Sequence, residues 1–201
     1  MPKPLLSARY RVVVRDAQGR IKRIEEAPSK SFILNFLYAW WLFLNLIGTD
    51  SISVVNSSGQ QITVTLGQPD GWDYTVNVRV SPYAGIQVGS GTSSPSASSP
   101  YLESLILSGT GSGQLVYGTN IMTSPLISTN PGTMQITNTF TNNSGGSVTV
   151  GEIGFAPSLG NWQISPITYG ACLFIHDVLS PAASVPNGGT ITVTYTLQVN
   201  T

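Results

Sequence analysis

Cys172 and His176 are the only cysteine and the only histidine of the chain, and they stand four residues apart. On a helix that spacing would share one face and bring a thiol toward an imidazole, the arrangement a thiolate nucleophile needs. The surrounding Ala171-Cys172-Leu173-Phe174-Ile175-His176-Asp177-Val178-Leu179 reads as a strand instead. Positions four apart on a strand share a face but lie about 13 Å from each other. That is too far for direct proton transfer. The expectation is a small buried Cys and a hydrogen-bonded His near a strand end.

Asp70 and Asp73, in Pro69-Asp70-Gly71-Trp72-Asp73, are the only close carboxylate pair after residue 50. Glycoside hydrolysis needs two carboxylates flanking a sugar, but Asp-Gly is a standard turn dipeptide. Turn chemistry accounts for the pair, with a weak Ca²⁺ or sugar contact beside Trp72 as the alternative. Gly109-Thr110-Gly111-Ser112-Gly113 is Gly-rich without a following Lys, and it reads as a turn. Neither a phosphate-cradling loop, an H-E-x-x-H helix nor a G-x-S-x-G elbow is present. No catalytic, cofactor-binding or metal-binding residue is assigned, and enzymatic activity is not expected.

The charges carry more information. The 201 residues hold nine Lys+Arg and nine Asp+Glu, 9% charged in all, well under the ~25% usual for soluble domains. Eight of the nine basic residues fall within residues 1–30, and none follows Arg79. Such asymmetry marks a basic segment that meets an acidic partner: nucleic acid, an anionic membrane, or the body of a neighbouring copy. Arg9, Arg11 and Arg15, with Arg20, Lys22 and Arg23 on the return strand, could track phosphates. Only Tyr10 interleaves with them, so base stacking has little support. A neighbouring copy is the favoured partner and nucleic acid is not. The weakly charged remainder has little electrostatic defence against self-association.

These residues need elements to position them. Residues 8–26 alternate as a β-hairpin with its turn at Asp16-Ala17-Gln18-Gly19. Residues 32–47 are apolar on almost every face and read as a helix, between Pro28-Ser29-Lys30-Ser31 and Gly48. At 1.5 Å per residue that helix spans about 24 Å, short of the ~30 Å hydrocarbon core. Packing in the core or against symmetry mates is favoured, and membrane association is the other reading. No signal peptide is expected, the segment beginning too late for one. Residues 50–201 read as all-β, with strands at 51–55, 62–66 and 74–80 and a strictly alternating strand at 190–199. Apolar parity switches at Gly151-Glu152, which marks a β-bulge. The Ser/Pro/Gly stretch at 88–101 is a long loop inside this body. The sequons at Asn56 and Asn142 are expected by chance.

Four groups of segments stand out in order: Ser31-Phe32-Ile33-Leu34-Asn35-Phe36-Leu37; Gly85-Ile86-Gln87-Val88-Gly89-Ser90-Gly91-Thr92 with Tyr101-Leu102-Glu103-Ser104-Leu105-Ile106 after its loop; the run from Phe140 through Asn142-Asn143-Ser144-Gly145-Gly146-Ser147 to Glu152-Ile153-Gly154-Phe155; and His176-Asp177-Val178-Leu179-Ser180-Pro181 with Asn187-Gly188-Gly189-Thr190. Through these segments the chain resembles small β-rich structural proteins of tailed phages and related prokaryotic viruses. Members often carry Arg where this chain has His176, and their helix is less aromatic. The resemblance implies a virion component without catalytic residues, such as a head decoration, neck or tail protein.

The sequence thus predicts a mainly β protein. An antiparallel β-sandwich or jelly-roll-like body (49–201) follows an N-terminal basic hairpin arm and one apolar helix (1–48). The expected function is a non-enzymatic structural subunit of a virus particle, made in the host cytoplasm. Its expected partners are copies of itself and other virion proteins. Arg9, Arg11, Arg15, Phe36, Trp40 and Trp41 are the candidate assembly contacts. A membrane-anchored or pilus-like subunit, or a glycan-binding module using Trp72 and Trp162, are the competing readings. The arm is expected to cross a subunit boundary, so that its deletion leaves the body folded.

Overall fold

A computed structural model describes residues 6–29, 31, 32, 36, 51–55, 61–65, 84–99, 101–123, 131–157 and 173–199. Its elements that lie wholly among the described residues are strands: β1 Leu6–Arg15, β2 Ile21–Ser29, β3 Ser51–Val55, β4 Gln61–Thr65, β5 Gly85–Gly89, β6 Val116–Tyr117, β7 Ile121–Met122, β8 Gly132–Thr141, β9 Val148–Ala156, β10 Ile175–Val185 and β11 Thr190–Val199. One antiparallel sheet runs β2-β1-β11-β8, with β6 and β7 both pairing along β8. A second runs β10-β9-β5, and β3 pairs with β4.

The alternation of Thr190-Ile191-Thr192-Val193-Thr194-Tyr195 makes β11 the centre of the first sheet. Ile191, Val193 and Tyr195 are fully buried while the threonines face outward. On the outward face Thr194 pairs hydroxyl to hydroxyl with Thr137 at 2.9 Å, and Thr192 with Thr139 at 2.9 Å. The inward residues of β1, β8 and β11 join those of β5, β9 and β10 in a single hydrophobic cluster.

Residues 6–29 do not stand off from the body as an arm. β1 pairs with β11 along its whole length, from Leu6 opposite Val199 to Arg15 opposite Thr190. Tyr10, Val12 and Val14 are buried in the common cluster. Alternation put the arginines outward, as expected, but the inward face needs the same core as β11. The turn to β2 is held by Asp16, whose carboxylate accepts from the backbone N–H of Gln18 and Arg20 and from Arg20 Nε at 2.8–3.0 Å.

The parity slip at Gly151-Glu152 falls where the register with the neighbouring strand shifts. Val178 lies opposite Glu152 and Ala183 opposite Val150, so the extra residues between these pairs belong to β10. They include the cis Ser180–Pro181 bond. Beyond the slip every residue of β9 is buried, on both faces.

Each edge of the second sheet meets a described segment. On β5, Ile106 N–H donates to Val88 C=O at 3.0 Å, and the Asn120 amide accepts from Ile86 N–H and donates to Ala84 C=O at 3.0 Å each. On β10, His176 N–H donates to Ser31 C=O at 3.1 Å. Beside that contact the rings of Phe32, Phe36 and Phe174 stack in sequence, Phe36 meeting Phe174 edge-on with centroids 5.7 Å apart. The remainder of the predicted helix, including Trp40 and Trp41, lies outside the described residues, as does the strand predicted at 74–80. Among the described residues no helix is long and apolar enough to cross a membrane.

Candidate functional site

One buried carboxylate gathers the distant segments. Glu152, on β9 just past the slip, is fully buried. Its Oε1 accepts from the backbone N–H of Gly91 at 3.1 Å and of Ser104 at 2.7 Å. Its Oε2 accepts from Glu103 N–H at 2.9 Å and from His176 Nε2 at 2.8 Å. Both ends of the Ser/Pro loop therefore converge on Glu152. A second carboxylate extends the clasp, since Glu103 accepts from the N–H groups of Thr92 and Ser93 at 3.0 Å and from the Ser93 hydroxyl at 2.9 Å.

The glycines nearby are demanded by space. A Cβ on Gly89 would lie 2.4 Å from Glu152 Oε1, and one on Gly151 would lie 2.3 Å from Gly91 C=O. Gly151→Ala must push backbone aside and is expected to cost about 2–3 kcal/mol. A Cβ on Gly146 meets nothing within 4 Å, so Gly146→Ala is the control, expected within about 0.5 kcal/mol of wild type. Urea unfolding midpoints of the two variants check the contrast.

The electrostatics favour an ionised carboxylate. Burial alone would push the Glu152 pKa up, but the bond from His176, the N–H groups of Ser104 and Glu103 and the charge of a protonated His176 outweigh it. The net shift is downward, below the usual carboxylate range. This is the pattern of a buried anion satisfied by several donors. His176 is itself buried, and donation from Nε2 fixes its ring against Glu152. A carboxylate saturated by four donors and sealed from solvent holds a loop in place. It offers no lone pair toward an incoming group.

A second polar cluster ties the sheets together. Tyr195 O–H donates to Asp177 at 3.1 Å, and Tyr10 O–H to Glu25 at 2.9 Å. Arg23 ion-pairs with Glu25 and donates to Pro181 C=O, linking β2 to the slip in β10. Burial pushes both phenols upward in pKa, with Glu25 adding at Tyr10 and Asp177 at Tyr195.

The distinctive Asn142-Asn143-Ser144-Gly145-Gly146 run has a comparable duty. Asn142 is fully buried, its amide donating to Gly146 C=O and Val185 C=O at 2.7–2.8 Å and accepting from Ser144 N–H and O–H. A side chain so engaged is closed to glycosylation at that sequon.

Of the candidate assembly contacts, Arg9, Arg11 and Arg15 lie exposed along the outward face of β1. Arg9 pairs with Glu26 at 3.1 Å and Arg15 donates to Gly19 C=O at 2.9 Å. Arg20 returns to Asp16 and Arg23 turns inward, so the basic residues form no single track. Phe36 packs against the chain's own core. Cys172, Asp70, Asp73, Trp72 and Trp162 lie outside the described residues. His176 occupies the hydrogen-bonded position near a strand start that its sequence context indicates. No protein-family model, curated protein or solved structure matches the chain.

Proposed function

We propose that this chain is a non-enzymatic structural subunit of a virus particle, whose β-sandwich or jelly-roll-like body packs against copies of itself and other virion proteins. The single hydrophobic cluster shared by the two sheets supports the sandwich. The observation that carries the functional reading is the use of the chain's distinctive polar residues. Glu152, His176 and Asn142 are all buried, and each is spent on holding loops to strands.

These residues lie in the segments through which the chain resembles phage structural proteins. A likeness concentrated in architectural residues fits a role discharged by shape. The threonine rows of β8 and β11 on the outward face fit it too, because uncharged side chains there set up no long-range repulsion against another protein surface.

Negative-stain electron microscopy of the purified full chain, without detergent, tests the reading. Rings, tubes or shells of repeating subunits are expected. Dispersed single subunits at every concentration would contradict it.

A further inference from the structure

The chain leaves the second sheet at the end of β5 and returns at Leu105, beside its point of departure. Gly89 and Leu105 form an antiparallel bridge, Ser90 N–H donates to Ser104 C=O at 2.8 Å, and the Ser90 hydroxyl donates to that of Ser104 at 3.0 Å. A surface loop with joined ends that is packed by its own side chains is an Ω-loop. Glu103 holds one part of it by accepting from Thr92 and Ser93, and Ser96 and Ser99 close a turn in another. The loop is a preformed unit on a narrow neck.

Its attachment to the body is small by comparison. Among the described residues, every hydrogen bond from the loop to the rest of the chain ends on the Glu152 carboxylate, from the N–H groups of Gly91, Glu103 and Ser104. Its one buried apolar side chain among them is Leu102, which joins Ala84, Ala156 and Leu173 in a cluster separate from the main core. Leu102 sits over Gly154, where a Cβ would come within 3.0 Å of Leu102 Cδ2. Gly154 lies between His176 on β10 and Gln87 on β5. The loop therefore crosses the outer face of the second sheet. The main core lies on the other face and includes no residue of the loop.

We infer that the segment between Gly89 and Leu105 is a lid, hinged at that bridge, which acid lifts from the outer face of the second sheet while the two sheets stay folded. Each oxygen of Glu152 accepts from two donors. A protonated carboxyl carries a hydroxyl on one of them and cannot satisfy all four. The titratable groups facing Glu152 are His176 on β10 and Glu103 in the loop, while β5 presents only Gln87 and Gly89. Asp177 is turned to the other face, where Tyr195 donates to it. His176 Nδ1 is buried without a hydrogen-bond partner among the described residues, so the closed form offers a second ring N–H no acceptor. Water supplies one when the lid is raised. The Glu152 pKa is depressed in the closed form, so the tether is complete above the ordinary carboxylate range. As pH falls from about 4 toward the depressed value the open form binds an extra proton, and its population rises about tenfold per pH unit.

Hydrogen–deuterium exchange of the full chain tests the lid, read by mass spectrometry from neutral pH down to about 3 and corrected for intrinsic exchange rates. Peptides covering residues 90–104 are expected to lose protection about tenfold per pH unit below about 4, while those covering β8 and β11 keep theirs. Glu152→Gln should lack the loop's protection already at neutral pH and change little with acid. Leu102→Ala keeps the carboxylate and removes the apolar contact. Its loop should reach any given level of exchange at a higher pH than the wild-type loop does, a readout that stands if Glu152→Gln fails to fold.

Loop and β11 peptides that lose protection together would overturn the lid, because acid would then be unfolding the sheets themselves. Loop protection that stays constant down to about pH 3 over intact sheets would overturn it as well. So would a Leu102→Ala loop that exchanges as in wild type at every pH. None of these outcomes depends on whether the chain packs against copies of itself.

Discussion

Glu152→Ala is expected to lower the unfolding free energy by about 4 kcal/mol, a large part of the ~5–15 kcal/mol typical of a folded domain. The substitution strands three backbone N–H groups, those of Gly91, Glu103 and Ser104, together with His176 Nε2. Each buried donor left without an acceptor costs about 1–3 kcal/mol, and water entering the vacated space repays part of the sum. Glu152→Gln should fail in large part as well, because its amide nitrogen opposes donors where an oxygen accepted them.

The same carboxylate sets a pH dependence with a definite sign. Its pKa is depressed in the folded state, so its contribution is fully present above the ordinary carboxylate range. It is lost as pH falls below about 4, through the depressed folded value. Wild type should therefore lose more stability than Glu152→Gln between pH 7 and acid conditions. Urea unfolding of both proteins across that range checks it. Parallel curves would show that Glu152 is not the titrating group. Proteolysis within residues 90–99 should rise in the alanine variant, because that loop is anchored through Gly91 and Ser104.

Deleting residues 1–20 is expected to abolish the folded body altogether. The deletion removes β1 from between β2 and β11 and uncovers Ile191, Val193 and Tyr195 along a ten-residue pairing. The buried side chains of Tyr10, Val12 and Val14 each contribute about 1.5–3 kcal/mol of burial, a total comparable with the stability of the whole domain. Val12→Asp, which places a charge in a fully buried position of β1, should approach the same outcome. Cooperative thermal unfolding, followed by near-ultraviolet circular dichroism, distinguishes the results. A sharp transition in the truncated protein would mean that residues 6–15 are peripheral after all.

How much of this was legible before the structure depends on the range of the interactions involved. β11 could be read residue by residue, because strict alternation of Thr with large apolar side chains is a local pattern with one solution. The slip at Gly151 could be located but not assigned to a strand. A bulge belongs to a pair, and the partner carrying the extra residues was unknown. β1 misled for the opposite reason. Its arginines dominate a reading by charge, while Tyr10, Val12 and Val14 on the other face commit it to the core beside a strand some 180 residues away.

The Glu152 clasp was the least legible. Three of its four donors are backbone groups of segments with unremarkable sequences. One signal was present. A lone carboxylate stood in the apolar run Val148-Thr149-Val150-Gly151-Glu152-Ile153-Gly154-Phe155, and the chain's one histidine stood in another such run. Oppositely charged side chains in two strands bound for the core need each other.

Light scattering coupled to size exclusion, on the detergent-free full chain, tests most directly the proposal that this chain packs against copies of itself. A discrete mass at two or more times 21.3 kDa, or a larger assembly, is expected. A species of 21.3 kDa that persists as concentration is raised would contradict it.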